Sequence, residues 1–287
     1  MKRIMNMDAY RGLSCGSTIA RWLSAALLIM LSACGGEVLR DEDPQSARES
    51  RSLTVITSGG FAAAYELLAP QFETQTGIEL HTEYGSSSGG APDSIPMRLA
   101  RGEAADVIIL SESSLDRLTL QGAVEPMSRV ALVHSKIGMA VRHGASKPDI
   151  SSEDAFATTL RNATSIGYSA SASGTYLSQK LWPEMGIWEE ISGKSKRILS
   201  ERVASVVARG EVEIGFQQIS EILPIEGADY AGPIPESLQR VTTFATGITV
   251  RAQNREDAQR LIDYLSSKEV ASVIASTGLH PLVLEKQ

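Results

Sequence analysis

From Leu53 onward, short apolar runs of four or five residues alternate with helical segments, many of them closed by glycine. "LTVIT" leads into a helix ending at Gly77, "IELHTEYG" into a polar turn and the short helix "SIPMRLARG", and "DVIIL" into "SSLDRLTLQG". Strands this brief, each followed by a helix, must pair side by side in the same direction and bury both faces. The pattern predicts a parallel α/β sheet. A second set follows: "SIGYS" before "GTYLSQKLW", then the helix "SERVASVVARGE" before "IGFQQIS". "VTTFATGITV" and two amphipathic helices broken near Ser267 complete the chain. About 235 residues in this alternation fit two α/β lobes.

Ligands of open α/β sheets settle at the carboxyl ends of strands, where helix N-termini present free N–H groups and a positive dipole. Four segments place small polar residues there: "TSGG" (57–60), "GSSSGG" (85–90), "SASASGTY" (169–176) and "QQISE" (217–221). One such turn is ordinary turn chemistry. Four of them, spread over two lobes, point to a cleft of hydroxyls and backbone N–H groups that grips a small anion. The candidate contacts are Ser58, Gly59, Gly60, Ser86, Ser87, Ser88, Ala172, Ser173, Tyr176, Gln217 and Gln218. The net charge of −7 and the lack of a basic run argue against nucleic acid as a partner. Local groups must therefore hold the anion.

The amino terminus reads as a targeting segment. Basic residues precede "WLSAALLIMLSA", which is too short to span a bilayer. It ends in Leu31-Ser32-Ala33-Cys34, which resembles a bacterial lipobox and implies cleavage before Cys34, a lipid on its sulfur and a periplasmic protein tethered to a bacterial membrane. Cys15, the other cysteine, would be lost with residues 1–33, leaving no disulfide. Residues 34–52 are polar and aperiodic and read as a flexible tether. No group of His, Cys and Asp has metal-ligand spacing, so neither metal nor cofactor is expected.

The order "LTVITSGGF", "EYGSSSG", "RLARGEAADVIIL", "SASASGTYLSQKL", "VARGEVEIGFQQ" and "DAQRLIDYLSSKEVASVIASTGLHP" resembles the type II periplasmic binding proteins of the molybdate-binding kind, across essentially the whole mature chain. The resemblance implies a two-lobed α/β fold, with a mainly parallel sheet in each lobe and two crossing hinge strands. Residues 53–133 and 245–287 would form one lobe and 134–244 the other. "TSGGFAAA" and "GFQQISE" are most similar to the aconitate-isomerising members built on this fold. Compared with the molybdate pattern, Gln218 stands where a ligand tyrosine belongs, Ser200 replaces a valine, and Gly60 replaces the first-turn serine, leaving Ser58 nearby. Ser86, Ser87 and Ser88 match the second turn, and Ala172 or Ser173 the first turn of the second lobe. A glutamine amide suits a flat carboxylate better than a compact tetrahedral oxyanion.

Two functions therefore stand side by side. The first is an isomerase that shifts a proton along the allylic system of aconitate. The second is a binding lipoprotein that hands molybdate or another small anion to an ABC permease. The proton carrier is not assigned: Tyr176, Glu221 and Lys136 each qualify if burial moves the pKa toward neutrality, each with a bland role open. Arg98 is a candidate carboxylate partner, and Arg101 reads as a solvated helix face. His81, His134, His143 and His280 fall outside the four turns. If Cys34 carries the lipid, Cys34→Ser moves the protein from the membrane fraction to the soluble fraction with ligand affinity unchanged, as fractionation and calorimetry will show.

Overall fold

The computed structural model describes residues 51–88 and 91–283. Cys34, the targeting segment and most of the tether lie outside the described residues. The tether is shorter than expected at its carboxyl end. Ser52 already belongs to the first strand, the Arg51 carbonyl accepts from the Glu79 N–H at 2.8 Å, and the Arg51 guanidinium pairs with the buried carboxylate of Asp257.

Along the chain the elements are β1 (Ser52–Ser58), α1 (Gly59–Thr76), β2 (Glu79–Gly85), α2 (Ile95–Ala100), β3 (Val107–Ser111), α3 (Glu112–Leu120), β4 (Val130–Ser135) and β5 (Ile137–Arg142). Then come α4 (Glu153–Asn162), β6 (Ile166–Ser169), α5 (Ala172–Tyr176), a π-turn (Leu177–Leu181), α6 (Trp182–Glu184), α7 (Trp188–Ile191), β7 (Ser195–Ile198) and α8 (Val203–Ala208). The last are β8 (Ile214–Gln218), α9 (Ile219–Ile222), β9 (Ala228–Pro233), β10 (Thr242–Ile248), α10 (Arg255–Leu265), α11 (Ala271–Ser276) and β11 (His280–Pro281).

Two sheets result. The first runs β11-β4-β10-β3-β1-β2 and the second β7-β6-β8-β5-β9. The two-lobed α/β architecture is as expected, but both sheets are mixed. β1 pairs in parallel with β2 and β3, and β6 with β7 and β8, whereas β10 runs antiparallel to β3 and β4, and β5 antiparallel to β8 and β9. β5 and β10 each begin just after the chain crosses between sheets, and the short β11, also antiparallel to β4, runs in the same direction as β10. The crossings also displace the expected lobe limits slightly: His134 and Ser135 end β4, and Thr242 to Phe244 open β10, so both short pieces belong to the first sheet.

Helices cover each sheet on both faces, which is why β1, β3 and β8 are buried almost throughout. In the first lobe α1, α10 and α11 pack on one face, with Phe61, Tyr65, Leu68 and Phe72 against Val55 and Ile109, while α2 and α3 cover the other through Ile95, Leu115 and Leu118. In the second, α4 and the run from α5 to α7 enclose an aromatic core. Trp182 stacks on Trp188 at 5.8 Å and meets Phe216 and Tyr168 edge-on. The opposite face is filled by α8 and α9. α1 ends as its sequence demands, at Gly77 with φ 69°, whose N–H returns to the Glu73 carbonyl.

Two glutamines fix the crossings. The Gln239 amide both accepts from the Ile137 N–H at 2.8 Å and donates to the Ile137 carbonyl at 2.9 Å. Gln218 accepts from the Ser135 hydroxyl at 2.7 Å and donates to the Thr242 hydroxyl at 3.1 Å. The lobes therefore meet at a hydrogen-bonded seam.

The Arg51 contact yields a prediction. Asp257 is buried, and losing its partner leaves a carboxylate with only Arg260 nearby, at 3.6 Å. Arg51→Ala should cost about 1–2 kcal/mol in urea denaturation, the half-exposed guanidinium keeping the loss modest.

Candidate functional site

In each sheet, helices from neighbouring strands leave toward opposite faces, and a crevice opens where they part. In the first lobe α1 leaves β1 on one face while α2 follows β2 on the other; in the second, α5 follows β6 and α8 follows β7. The two crevices face each other and enclose a cavity of ≈ 320 Å³. Lobe 1 supplies Ser58, Gly59, Gly60, Glu66, Tyr84, Ser86, Ser87 and Asp93, and lobe 2 supplies residues 169–173, 198–202, Gln218 and Glu221. Phe244 closes the floor.

The opening glycines of α1 serve a specific geometry. A Cβ on Gly60 would stand 2.0 Å from Cζ of Phe244, and one on Gly59 would stand 2.2 Å from Oε1 of Glu221. Neither glycine has positive φ among the described residues. What excludes a side chain is therefore close approach, not backbone strain. The Gly60 carbonyl accepts from the Ser220 hydroxyl at 2.7 Å, so the start of α1 is clasped by α9 of the other lobe. Alanine at Gly60 would therefore displace Phe244 as well as obstruct a ligand.

Most of the sequence-derived contacts converge. Ser58 is buried, and its hydroxyl has no hydrogen-bond partner among the described residues, the state expected of a donor awaiting a ligand. The Ser86 hydroxyl donates to the Ser88 carbonyl at 2.9 Å, and the Ser87 hydroxyl accepts from the Ser111 N–H at 3.0 Å. In lobe 2 the hydroxyls of Ser169 and Ser173 lie 3.1 Å apart, and the Gly174 N–H donates to the Ser169 hydroxyl at 3.2 Å. A Cβ at Gly174 would fall 1.7 Å from the Ser169 carbonyl oxygen, so glycine alone lets α5 start directly over its strand.

Four residues sit differently from the sequence reading. Tyr176 lies off this cavity: its hydroxyl donates to the Leu238 carbonyl at 3.0 Å and its ring faces the Arg240 guanidinium at 5.5 Å, since it is one helical turn past the residues of α5 that face the cleft. Gln217 points to the opposite face from Gln218, as successive strand residues must, and accepts from the Ala204 N–H at 2.7 Å in the first turn of α8. Gln218 does line the cleft, but its amide oxygen and one of its N–H groups already join the two crossings. Ser88 lines a neighbouring cavity instead.

The charged groups were the least legible. Arg98 is buried but fully engaged by Glu103, Glu83 and the Tyr84 carbonyl, while Arg101 reaches the Pro92 carbonyl at 2.6 Å. Lys136 pairs with Glu236 at 2.7 Å, and no histidine lines the cavity. The cation that does line it is Arg202, 3.6 Å from Glu66 across the two lobes. Arg202 went unrecognised because β7, with Lys196 and Arg197 exposed on an edge, lacks an apolar strand pattern. Without β7, residues 199–202 do not read as a strand-to-helix turn. "RILSERV" ahead of the apolar helix is the signal that marks it.

Among the cavity carboxylates, Glu66 faces Arg202, Glu201 pairs with Arg209 at 2.9 Å, and Asp93 keeps one buried oxygen without a hydrogen-bond partner among the described residues. Glu221 is different. It lies in the first turn of α9 against Gly59, and burial pushes its pKa up to about 7, against the opposing pull of Arg202 and a hydrogen bond from the Gln218 backbone. A carboxyl of that kind both accepts and returns a proton near neutral pH. Three or more His, Cys, Asp or Glu side chains able to hold a metal do not cluster among the described residues.

Two mixed sheets, two crossings and an anion-sized cleft lined by hydroxyls and helix starts define the type II periplasmic binding fold. The model of the bacterial extracellular solute-binding protein family matches residues 53–280, and the chain belongs to that family. An aconitate isomerase from Pseudomonas sp is 43% identical over 250 residues, covering 87% of this chain and 95% of that one. The molybdate-binding protein ModA of Escherichia coli (strain K12) is 20% identical over 264 residues, covering 90% of this chain and 97% of that one. The periplasmic molybdate-binding protein of Azotobacter vinelandii superposes with a TM-score of 0.64 at 19% identity, over 82% of this chain and all of its own. That last likeness concerns the fold alone.

The Glu221 environment predicts a stability signature. A carboxyl whose folded pKa is raised from 4.5 to about 7 favours folding fully only below the unfolded value, and that contribution is lost as pH rises through about 7. Glu221→Gln should therefore match the wild-type melting temperature near pH 4.5 and exceed it at pH 8 in parallel thermal scans.

Proposed function

We propose that the chain is an aconitate isomerase in which Glu221 is the proton carrier. The observation that carries this reading is a carboxyl poised near neutrality inside a cleft otherwise built to hold an anion. The 43% identical relative supports the isomerase activity. Glu221 takes a proton from the methylene carbon of the substrate. The electron pair of that C–H bond becomes part of the allylic system, the double bond shifts, and the same carboxyl returns a proton to its far end. No atom is gained or lost. Charge that builds on the substrate carboxylates in between is met by Arg202, the free Ser58 hydroxyl and the backbone N–H groups that open α1 and α5.

The cleft also explains how a tricarboxylate enters an acidic molecule. Of the four cavity carboxylates, Glu66 and Glu201 each face an arginine and Glu221 is partly protonated at neutral pH, which leaves Asp93 as the one without a cation among the described residues. A carrier of molybdate fits less well, because the residue in the tyrosine position, Gln218, is engaged in the hinge. The family is extracytoplasmic, and a lipid on Cys34 would hold the enzyme at a membrane surface outside the cytoplasm.

The test is direct. Purified protein incubated with trans-aconitate should accumulate the cis isomer by chromatography, and kcat/KM should rise with pH and level off above about 7, as the basic form of Glu221 fills. Glu221→Gln should lower turnover by about 10²–10⁴-fold while calorimetry still shows substrate binding. Binding of trans-aconitate without conversion by the wild-type protein would return the chain to the carrier class. Normal turnover by the variant would remove Glu221 from the chemistry.

A further inference from the structure

Of the fourteen described arginines, nine stand within ion-pairing distance of a carboxylate and five do not. Three of those five, Arg117, Arg197 and Arg240, stand around a single cavity of ≈ 490 Å³. Their contacts are neutral: Arg117 donates to the Ser114 hydroxyl at 2.8 Å, Arg197 to the Ala170 carbonyl at 3.4 Å, and Arg240 lies over the Tyr176 ring. In a chain with 34 acidic and 27 basic side chains, an uncompensated cluster of like charges is the unusual arrangement. The only carboxylate on the cavity wall among the described residues, Glu112, is held by Arg129.

The cavity is also supplied with donors. Ser111 lines it; this residue is 2% exposed, and its hydroxyl has no hydrogen-bond partner among the described residues. It precedes the nine-residue helix α3 without capping it, so the first-turn N–H groups of α3 receive nothing from its side chain. Arg117 comes from lobe 1, Arg197 from lobe 2 and Arg240 from the crossing between β9 and β10. This cavity and the substrate cleft share only the wall at Ala172, and the 86–88 turn divides them: Ser86 and Ser87 face the cleft, Ser88 the other side.

We propose that this cavity is a second anion site, separate from the substrate cleft, for a small free oxyanion carrying two or more negative charges, with inorganic phosphate as the simplest example. An ion there touches both lobes and a crossing strand at once, so its binding favours the arrangement in which the lobes are together. Guanidinium groups suit such an oxyanion because their planar donor pairs match two oxygens at a time.

The test uses the full-length protein with inorganic phosphate and pyrophosphate as probes, by calorimetry and thermal shift. The wild-type protein should bind phosphate, pyrophosphate more tightly, and both with trans-aconitate present at saturation. Arg197→Gln combined with Arg240→Gln should weaken both probes at least about tenfold and leave the trans-aconitate dissociation constant within about twofold. Both side chains are exposed, and unchanged circular dichroism will confirm that the variant folds. The proposal is overturned if neither probe binds the wild-type protein at about 10 mM, if saturating trans-aconitate abolishes their binding, or if the double variant binds them as the wild type does. Because the readout is oxyanion affinity, failure here is distinct from absence of isomerase turnover.

Discussion

The close approach of three side chains to the first turn of α1 underlies everything else in the cleft. Phe244 lies against Gly60, the Glu221 carboxyl lies against Gly59, and the Ser220 hydroxyl bonds the Gly60 carbonyl. Phe244 belongs to the returning strand of lobe 1, and Ser220 and Glu221 to a four-residue helix of lobe 2. Only a helix beginning with two residues that lack Cβ atoms lets all three in. The same contact that joins the lobes also carries a carboxyl out of water, and that desolvation raises its pKa. Lobe docking and the raised pKa of Glu221 therefore share one structural cause.

The hinge glutamines complement this arrangement. Here Gln218 binds both crossings through Ser135 and Thr242, and Gln239 binds Ile137 through its whole amide. A hinge tied this way holds Glu221 and Arg202 beside the hydroxyl turns, the positioning that the proposed proton transfer needs. The shared fold does not decide between the two uses; the residues at the strand ends do.

Charge is distributed by the same logic. The chain is acidic, yet its interlobe surfaces collect the arginines that face few or no carboxylates: Arg202 in the cleft, and Arg117, Arg197 and Arg240 in the cavity beside it. Several cations elsewhere are neutralised locally, as with Arg98 by Glu103 and Glu83, or Arg129 by Asp116 and Glu112. An anion between the lobes therefore meets arginines with few competing carboxylates.

What the sequence by itself determined is the alternation of strand and helix, the glycine that closes α1, and the strand-to-helix turns at 57–60, 85–88 and 169–173, because each depends on local preferences: β-branched runs, φ freedom at glycine, hydroxyls at helix starts. Both Gln217 and Gln218 were read as contacts, whereas period-two alternation lets only one of them face the cleft. The direction of β5 and β10, the pairing of Arg51 with Asp257, and the presence of Arg202 in the cleft depend on residues far apart in the chain, and only the tertiary structure decided them. So it was with Glu221. Read along the chain it is one acid after a glutamine pair; its pKa of about 7 comes from the water excluded by Gly59 and the walls of both lobes, and exclusion of water is a property of packing that no local pattern encodes.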